Sequence, residues 1–379
     1  MPVEEGKVIL DLVPSGGEKG PARKGDVFYN PAMEQNRDLS VLFLEVLVKN
    51  DILPGSNIRI LDSQTGSGTR AVRFAKEVND CPPVTGCDIN PASLSTARKN
   101  AALNHVDVEL IRADMRAHLL ERRYSYIDID PFGSPLPFMG SALGGIMNRG
   151  IIAVTATDTA ALTGSVPRVS RRRYDVELCM THCYQELSCR VLLGSIARRA
   201  ASMDLSLAPL LFYSHDHFIR GYFLVQRGAK KADAMLENIK WFRYQSPLPP
   251  HSFDSLSELS RGGGRVIGPI WKGDLEDVTL VRSMLEELDS GDWEHLSSRS
   301  PIRMLLERAI EESSTPPLGY DVNTTSGSLK CSPPRMRDIE DELRGSDFSF
   351  SRSRFSSTIF KTDAPWETVA SIFVNGGDE

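Results

Sequence analysis

The stretch IDIDPFGSP, residues 127–135, sets one carboxylate, Asp130, directly before a proline, an aromatic ring and a glycine. The apolar run before it reads as a buried strand, which would deliver Asp130 at its carboxyl end. Pro131 removes a backbone donor and stiffens the turn. Phe132 offers a flat face on which a nucleobase can stack, and Gly133 permits an unusual backbone angle. This is equipment for methylating an exocyclic amine. Such a nitrogen is a poor nucleophile because its lone pair is delocalised into the ring. A carboxylate that accepts one N–H hydrogen bond, and later the proton, restores electron density. The ring fixes the base so that the attacking nitrogen is held in line.

Three further acids end or follow strands of the same pattern. Asp62 opens LDSQTGSGTR (61–70), where Gly66 and Gly68 let the backbone approach a ligand closely. The G-x-G-x-x-G spacing is incomplete, since Ala71 stands where the third glycine would be, so this signal alone is weak. Asp88 follows Gly68 by 20 residues, the place from which an acid bonds both ribose hydroxyls of an adenosine. Asp114, in IRADM, can meet an adenine amino group, while Met115 supplies a backbone N–H and an apolar surface. Strand carboxyl ends form the ligand crevice of open α/β sheets, and four acids there point to a site.

Alternating elements must position these residues. After a lead-in (1–55) with a helix from about Asp38, the strands are NIRILD, VTGCDI, VDVELIRAD, YSYIDID and GIIAVTATD. Helical runs lie between them, one opened by Asn90 as N-cap and Pro91. A long helix is expected over roughly 174–203. LSLAPLLFYS and FIRGYFLVQR follow, joined by HDH, a link too short for a parallel crossover. The fold class expected is therefore α/β: a Rossmann-like sheet with its last strand antiparallel, the architecture of S-adenosylmethionine-dependent methyltransferases. Residues 1–228 would form that domain, and 229–379 an α+β domain with a winged-helix-like element. There a helix covers AKKADAMLENIKWF, Ser332 caps a helix over SPPRMRDIEDELR, and FSFSRSRFSSTIFK alternates like a hairpin.

The chain has 379 residues and a net charge of −6, which argues against generic nucleic-acid affinity but not against local basic patches. No apolar run approaches a membrane span and the acidic N-terminus lacks a signal pattern, so the reading is a cytoplasmic protein. None of the six cysteines forms a C-x-x-C pair. Cys179 and Cys183, in CMTHC, would share a helix face as buried thiols rather than hold a metal.

Taken together, VFYNPAMEQNRDLS, LDSQTGSGTRA, DINPAS, IDIDPFGSP, SHDHFIRGYF and FKTDAPWE resemble the tRNA (guanine-N2)-dimethyltransferase family, from Phe28 to Trp366. The resemblance implies methyl transfer from S-adenosyl-L-methionine to N2 of guanine 26 in tRNA, twice; a monomer is expected. It implies Asp130 as the catalytic carboxylate and Phe28 and Phe132 as the two faces that hold the guanine. Arg37 and Arg70 would touch the methionine part of the cofactor or the adjoining wall. Asp88 would take the ribose, and Asp114 and Met115 the adenine. Some relatives carry zinc-binding cysteines in the second domain; here that region has none, so no metal is expected.

The arginines of RVSRRRYD (168–175) border the crevice and could meet phosphates or simply be solvated. HDH is either a polar hairpin tip or an RNA contact. Arg198 and Arg199 read as surface charge. Arg335, Arg337, Arg352, Arg354 and Lys361 concentrate positive charge on a C-terminal helix and hairpin, which predicts salt-dependent tRNA binding. The competing readings are methylation of adenine N6 in RNA or DNA, a non-enzymatic nucleic-acid-binding module, and, more distantly, a nicotinamide oxidoreductase.

Overall fold

A computed structural model describes residues 2–12, 29–253 and 263–375. The first elements in chain order are β1 (Pro2–Glu5), β2 (Val8–Asp11), α1 (Glu34–Lys49), β3 (Ile60–Asp62), α2 (Thr69–Glu77), β4 (Val84–Asp88), α3 (Pro91–Leu103), β5 (Glu109–Arg112), α4 (Met115–Glu121) and β6 (Tyr124–Ile129). Then come α5 (Leu136–Gly145), β7 (Ile146–Ala156), α6 (Thr159–Leu162), α7 (Pro167–Tyr174), α8 (Tyr184–Ala201), β8 (Leu205–His215) and β9 (Phe218–Arg227). The remainder is α9 (Ala229–Leu236), β10 (Ile239–Tyr244), β11 (His251–Phe253), β12 (Arg265–Trp271), α10 (Val278–Ser290), α11 (Arg299–Glu312), β13 (Tyr320–Asp321), α12 (Val322–Leu329), α13 (Met336–Gly345), β14 (Ser351–Arg352), β15 (Ile359–Lys361) and α14 (Trp366–Asn375).

Seven strands form one sheet in the order β5-β4-β3-β6-β7-β9-β8. The first five run parallel, with Ile60 opposite Val84 on one side and Tyr126 on the other. Strands β8 and β9 lie side by side and are joined only by Asp216 and His217, so they run antiparallel, as the short link requires. The strand order reverses between β3 and β6, the place where such sheets open a crevice at their carboxyl edge.

The chain packs as two units, both built from separate stretches: Met1–Thr155 with Tyr222–Arg227 and Arg282–Arg303, and Ala156–Gly221 with Gly228–Val281 and Met304–Glu379. In the first, α1 is buried nearly throughout. The helix starts at Glu34, earlier than the pattern suggested, because its polar first turn is itself buried: Asn36, Arg37 and Asp38 have interior partners. The lead-in also contains an unexpected hairpin, β1–β2. Two asparagines one turn apart, Asn100 on α3 and Asn104 just after its end, complete its open edge. Asn100 Oδ1 accepts from Asp11 N at 2.8 Å, and Asn104 both accepts from Ile9 N and donates to Ile9 O. Val8, Leu10 and Leu12 pack on Val72 and Ala101 beneath it.

In the second unit, β10 pairs antiparallel with β11 and β12. Strand β10 replaces the end of the helix expected over AKKADAMLENIKWF, where the β-rich run IKWFRY wins. The helix expected over roughly 174–203 is shorter, α8 from Tyr184, and α7 ends at Tyr174 where it was expected to begin. CMTHC lies between them, so Cys179 and Cys183 do not share a helix face. His182 and Cys183 both donate to Gly319 O instead. Ser332 is not the cap of α13, which starts at Met336 after Arg335. The sheet β13-β15-β14 packs on α12, α13 and α14 around Phe360, Phe373 and Leu343.

Two of the five residues of the expected C-terminal basic patch are interior, while Arg335 and Arg337 are exposed and Arg352 is half-exposed. Arg354 is clasped by Glu276 at 2.5 Å and Glu312 at 3.0 Å, and Lys361 by Glu186 at 2.9 Å and Glu312 at 3.1 Å, with all five side chains buried. Arg352 pairs with Glu340 and Arg337 with Asp341. Arg198 is no surface charge either. It donates to the carbonyls of Tyr174, Asp175 and Pro269. Among the described residues no helix is long and apolar enough to cross a membrane, and no group of three or more His, Cys, Asp or Glu could hold a metal ion.

Candidate active site

Parallel pairing puts Asp62, Asp88 and Asp130 at the carboxyl ends of three neighbouring strands, with Asp114 just beyond a fourth. Asp130 is partly buried and tied from two sides. Its N–H donates to Gln64 Oε1 at 3.2 Å, and its Oδ2 accepts a short hydrogen bond from Arg70 Nη2. Its Oδ1 has no partner among the described residues. Phe132, two residues on, is 72% exposed, far more than a packing aromatic needs to be. Gly133 takes φ +82, a left-handed backbone angle that glycine adopts without strain in this turn. Pro131 is buried under the turn. Phe28 lies outside the described residues.

Arg70 is the hub of this end. It rises from the first turn of α2, and its side chain is almost fully buried. Nη1 donates to Asn36 Oδ1 at 3.0 Å and to Ser40 Oγ at 2.8 Å, both on α1. Nε lies 3.6 Å from Asp128 Oδ1, a carboxylate with no exposure, which also accepts from the Tyr126 hydroxyl. Ser40 Oγ in turn bonds the Tyr222 hydroxyl, and the Tyr222 ring stacks on Phe43 at 4.1 Å. One guanidinium thus fixes the orientation of Asp130 through a bonded chain reaching into the core. Arginine suits this place because its fork reaches several acceptors at fixed angles.

The glycine loop is shaped by hydrogen bonds from the acids. Asp88 Oδ2 accepts from Gly66 N at 2.9 Å and Oδ1 from Asn90 N at 2.8 Å, pinning the loop to the end of β4. Gly66 takes φ +54. Gly68 answers a packing demand: a Cβ there would sit 2.6 Å from Ala97 Cβ, because α3 crosses against it. Asp62 is buried behind the loop, where its Oδ2 accepts from Thr65 Oγ1 at 2.7 Å. Burial pushes its carboxyl up to about 7, with Asp128 and Asp130 adding to the rise and Arg70 opposing it.

At the far end, Asp114 caps α4 through Arg116 N at 2.9 Å and pairs with the Arg116 guanidinium, which holds its carboxyl below the usual range. Met115 is buried, and its sulfur accepts from Gln64 Nε2 at 3.2 Å. Arg37 has a different environment from a ligand-facing arginine. It is enclosed by Glu5, both of whose oxygens lie 2.6 Å away, and its guanidinium stands 5.1 Å over the Tyr29 ring. Burial would raise the Glu5 carboxyl, but the Arg37 hydrogen bonds and the charges of Arg37 and Arg73 outweigh it and hold the group at about 2.

Several participants carried no signal of their own in the sequence. Asn36, Ser40 and Tyr222 look like core polar residues until Arg70 joins them. Asp128 could have been found, since a second acid two residues before Asp130 lies on the same face of the strand. Gln64 spans from the catalytic turn to Met115. Ile89, directly after Asp88, is 69% exposed and offers an apolar face to a flat ring.

A mixed sheet ending in an antiparallel strand, with a glycine loop and four acids at the edge where its strand order reverses, defines a Rossmann-like S-adenosylmethionine-dependent methyltransferase. The residues fit such a nucleoside: Asp88 is partly exposed, Ile89 stands beside it, and the loop backbone is open at Gly66. The chain belongs to the N2,N2-dimethylguanosine tRNA methyltransferase family, whose model matches residues 15–374. It is 35% identical over 371 residues to the tRNA (guanine(26)-N(2))-dimethyltransferase of Methanothermobacter thermautotrophicus, covering 96% of this chain and 95% of that one. It is 31% identical to the Methanosphaera stadtmanae enzyme of the same name, with 98% and 96% covered. The structure of Trm1 from Pyrococcus horikoshii in complex with S-adenosyl-L-methionine matches at a TM-score of 0.86 and 29% identity, over 98% of this chain and 99% of that one.

Proposed function

We infer that the chain dimethylates N2 of guanine 26 in tRNA, with S-adenosyl-L-methionine as methyl donor. The relatives above bear that activity in their names. The observation in this molecule that carries it is Asp130, fixed through one oxygen by Arg70 and without a described partner at the other, beside the exposed Phe132. When bound, S-adenosyl-L-methionine supplies a methyl group activated by its sulfonium. Asp88 takes the ribose hydroxyls with the lone pairs that Gly66 and Asn90 leave unused. Met115 and Asp114 would bound the adenine, and Ile89 would cover its face. Gly66 and Gly68 keep the loop low, and Asp62 holds its shape from behind through Thr65. Arg37 acts on this pocket indirectly, as a positioning residue bound to Glu5.

The target base leaves its stack, at a cost of a few kcal/mol, and lies on Phe132, with Phe28 as the opposite face and Pro131 stiffening the turn. Asp130 Oδ1 accepts one N2–H hydrogen bond, which localises the lone pair on nitrogen, and then takes the proton. After one transfer N2 keeps a hydrogen, so once Asp130 has passed its proton to solvent and the spent donor has been exchanged for a fresh one, the same oxygen can serve the second. The fixed Oδ2 prevents the carboxylate from turning away between the two.

By role, we assign methyl transfer to residues 1–228 and tRNA holding to 229–379, with α12, α13 and the β14–β15 hairpin as a winged-helix-like element. We place the reaction in the cytoplasm, in keeping with six free cysteines. A monomer suffices, because every assigned site residue comes from one chain. The test is nucleoside mass spectrometry of unmodified tRNA incubated with protein and donor. Dimethylguanosine, lost when position 26 is replaced by adenosine, is the expected result. Methylated adenosine in its place would favour an adenine N6 enzyme.

A further inference from the structure

We propose that α7 is a docking surface for the tRNA backbone, with Arg168 and Arg172 as its phosphate-binding side chains. The proposal rests on tRNA being the substrate. Helix α7 reads PRVSRRRY, and its four arginines are all exposed. Ion pairs within the chain already engage two of them: Arg171 with Glu177 at 2.5 Å and Arg173 with Asp158 at 3.2 Å. Arg168 and Arg172 make no hydrogen bond or ion pair with any described residue. They are four positions apart, hence neighbours on one helix face, about 5–6 Å apart at their Cβ atoms.

The underside of α7 is firmly anchored. Tyr174 is buried and its hydroxyl donates to Asp158 Oδ1 at 2.5 Å. Ser170 Oγ donates to Ala161 O at 2.6 Å. The carbonyl of Tyr174 accepts from both Ser195 Oγ and Arg198 Nη2, each at 2.8 Å, and Arg198 also donates to Asp175 O. These bonds satisfy carbonyls at the helix end that would otherwise be left open. Two guanidiniums without counterions on a preset helix are suited to phosphate oxygens, since the fork binds bidentately and little order remains to be imposed. The contrast with the C-terminal arginines sharpens the choice. Arg354 and Lys361 are buried in ion pairs, Arg337 and Arg352 have acidic partners, and only Arg335 is left exposed without an ion pair to a described residue. In a chain of net charge −6, an uncompensated cationic pair is a local exception that a polyanion would find.

The experiment measures tRNA affinity against salt concentration for the full chain and for three double variants: Arg168→Ala/Arg172→Ala, Arg168→Lys/Arg172→Lys, and Arg335→Ala/Arg337→Ala. Removing the α7 pair should shallow the log–log salt slope by about 1–2 and raise Kd roughly tenfold at low salt. The lysine pair should keep most of the slope, and the α13 pair, where Arg337 already faces Asp341, should shallow it less than the α7 pair does. Thermal midpoint and S-adenosyl-L-methionine affinity should stay at wild-type values in the α7 variants, because neither arginine bonds the protein. An unchanged slope and Kd in the alanine variant overturns the proposal. So does a Kd raised equally at every salt concentration, which would mean a contact other than phosphate. A slope lost only in the α13 variant returns the role to the C-terminal helix. If the wild-type chain neither binds nor methylates tRNA, the substrate reading fails and this proposal with it.

Discussion

Replacing Asp130 by asparagine tests the central chemistry with little structural disturbance. The side chain is 23% exposed, and Arg70 keeps its bonds to Asn36 and Ser40 and its approach to Asp128. The amide oxygen of the variant can still accept from Arg70, so the turn should hold and stability should change by less than about 1 kcal/mol. Only the charge and basicity at Oδ1 are lost. A positioned base contributes roughly 10²–10⁴-fold to a rate, which at about 1.4 kcal/mol per decade is ~3–5 kcal/mol of transition-state stabilisation. Single-turnover transfer of labelled methyl groups to tRNA, at saturating donor, reads the step directly. The rate should fall at least a hundredfold, while donor affinity stays within twofold. A variant retaining more than a tenth of the wild-type rate would refute the assignment. If donor affinity fell with the rate, the defect would lie in the pocket and not in the base.

Further outcomes follow from other residues. Phe132→Ala should weaken single-turnover transfer by about 10–100-fold, the worth of one stacked base, with no change in thermal midpoint because the ring is 72% exposed; an unchanged rate would remove it from the site. Asp62 holds a proton in the fold up to about pH 7 but releases it near 3.8 when unfolded, so folding takes up a proton between those values. Stability should therefore fall as pH rises through that window, by an amount on the order of a few kcal/mol. Asp62→Asn should flatten the curve between about pH 4 and 7 in thermal unfolding, and a curve parallel to wild type would deny the shift. Arg354→Met leaves Glu276 and Glu312 buried without their shared cation and should cost about 3–5 kcal/mol in urea unfolding. A loss below 1 kcal/mol would mean that Lys361 compensates.

The strand-end acids were legible because their signal is local: an apolar run, then a carboxylate, then turn chemistry. The same holds for the Asn90–Pro91 helix start, where Asn90 Oδ1 does accept from Ala92 N. Arg70 was placed near the site only by family resemblance. Its work depends on α1 and β6, which no short window of sequence joins to it. The β1–β2 hairpin escaped notice because its edge is completed by asparagine side chains of a helix and not by another strand. Two members of the C-terminal basic patch, Arg354 and Lys361, proved interior for a plain reason. A count of arginines takes no account of burial, and the acids that absorb Arg354 and Lys361 come from α8, α11 and the segment before α10. Arg198 misled in the same way, since its partners are carbonyls, which composition does not reveal.

The near contact of Gly68 with Ala97 bears on any redesign of the donor pocket. No side chain can be grafted onto the loop at Gly68 without displacing α3, and no larger residue can replace Ala97 without lifting the loop. Attempts to admit bulkier sulfonium analogues should leave that pair alone and prune Ile89, whose side chain is mostly exposed.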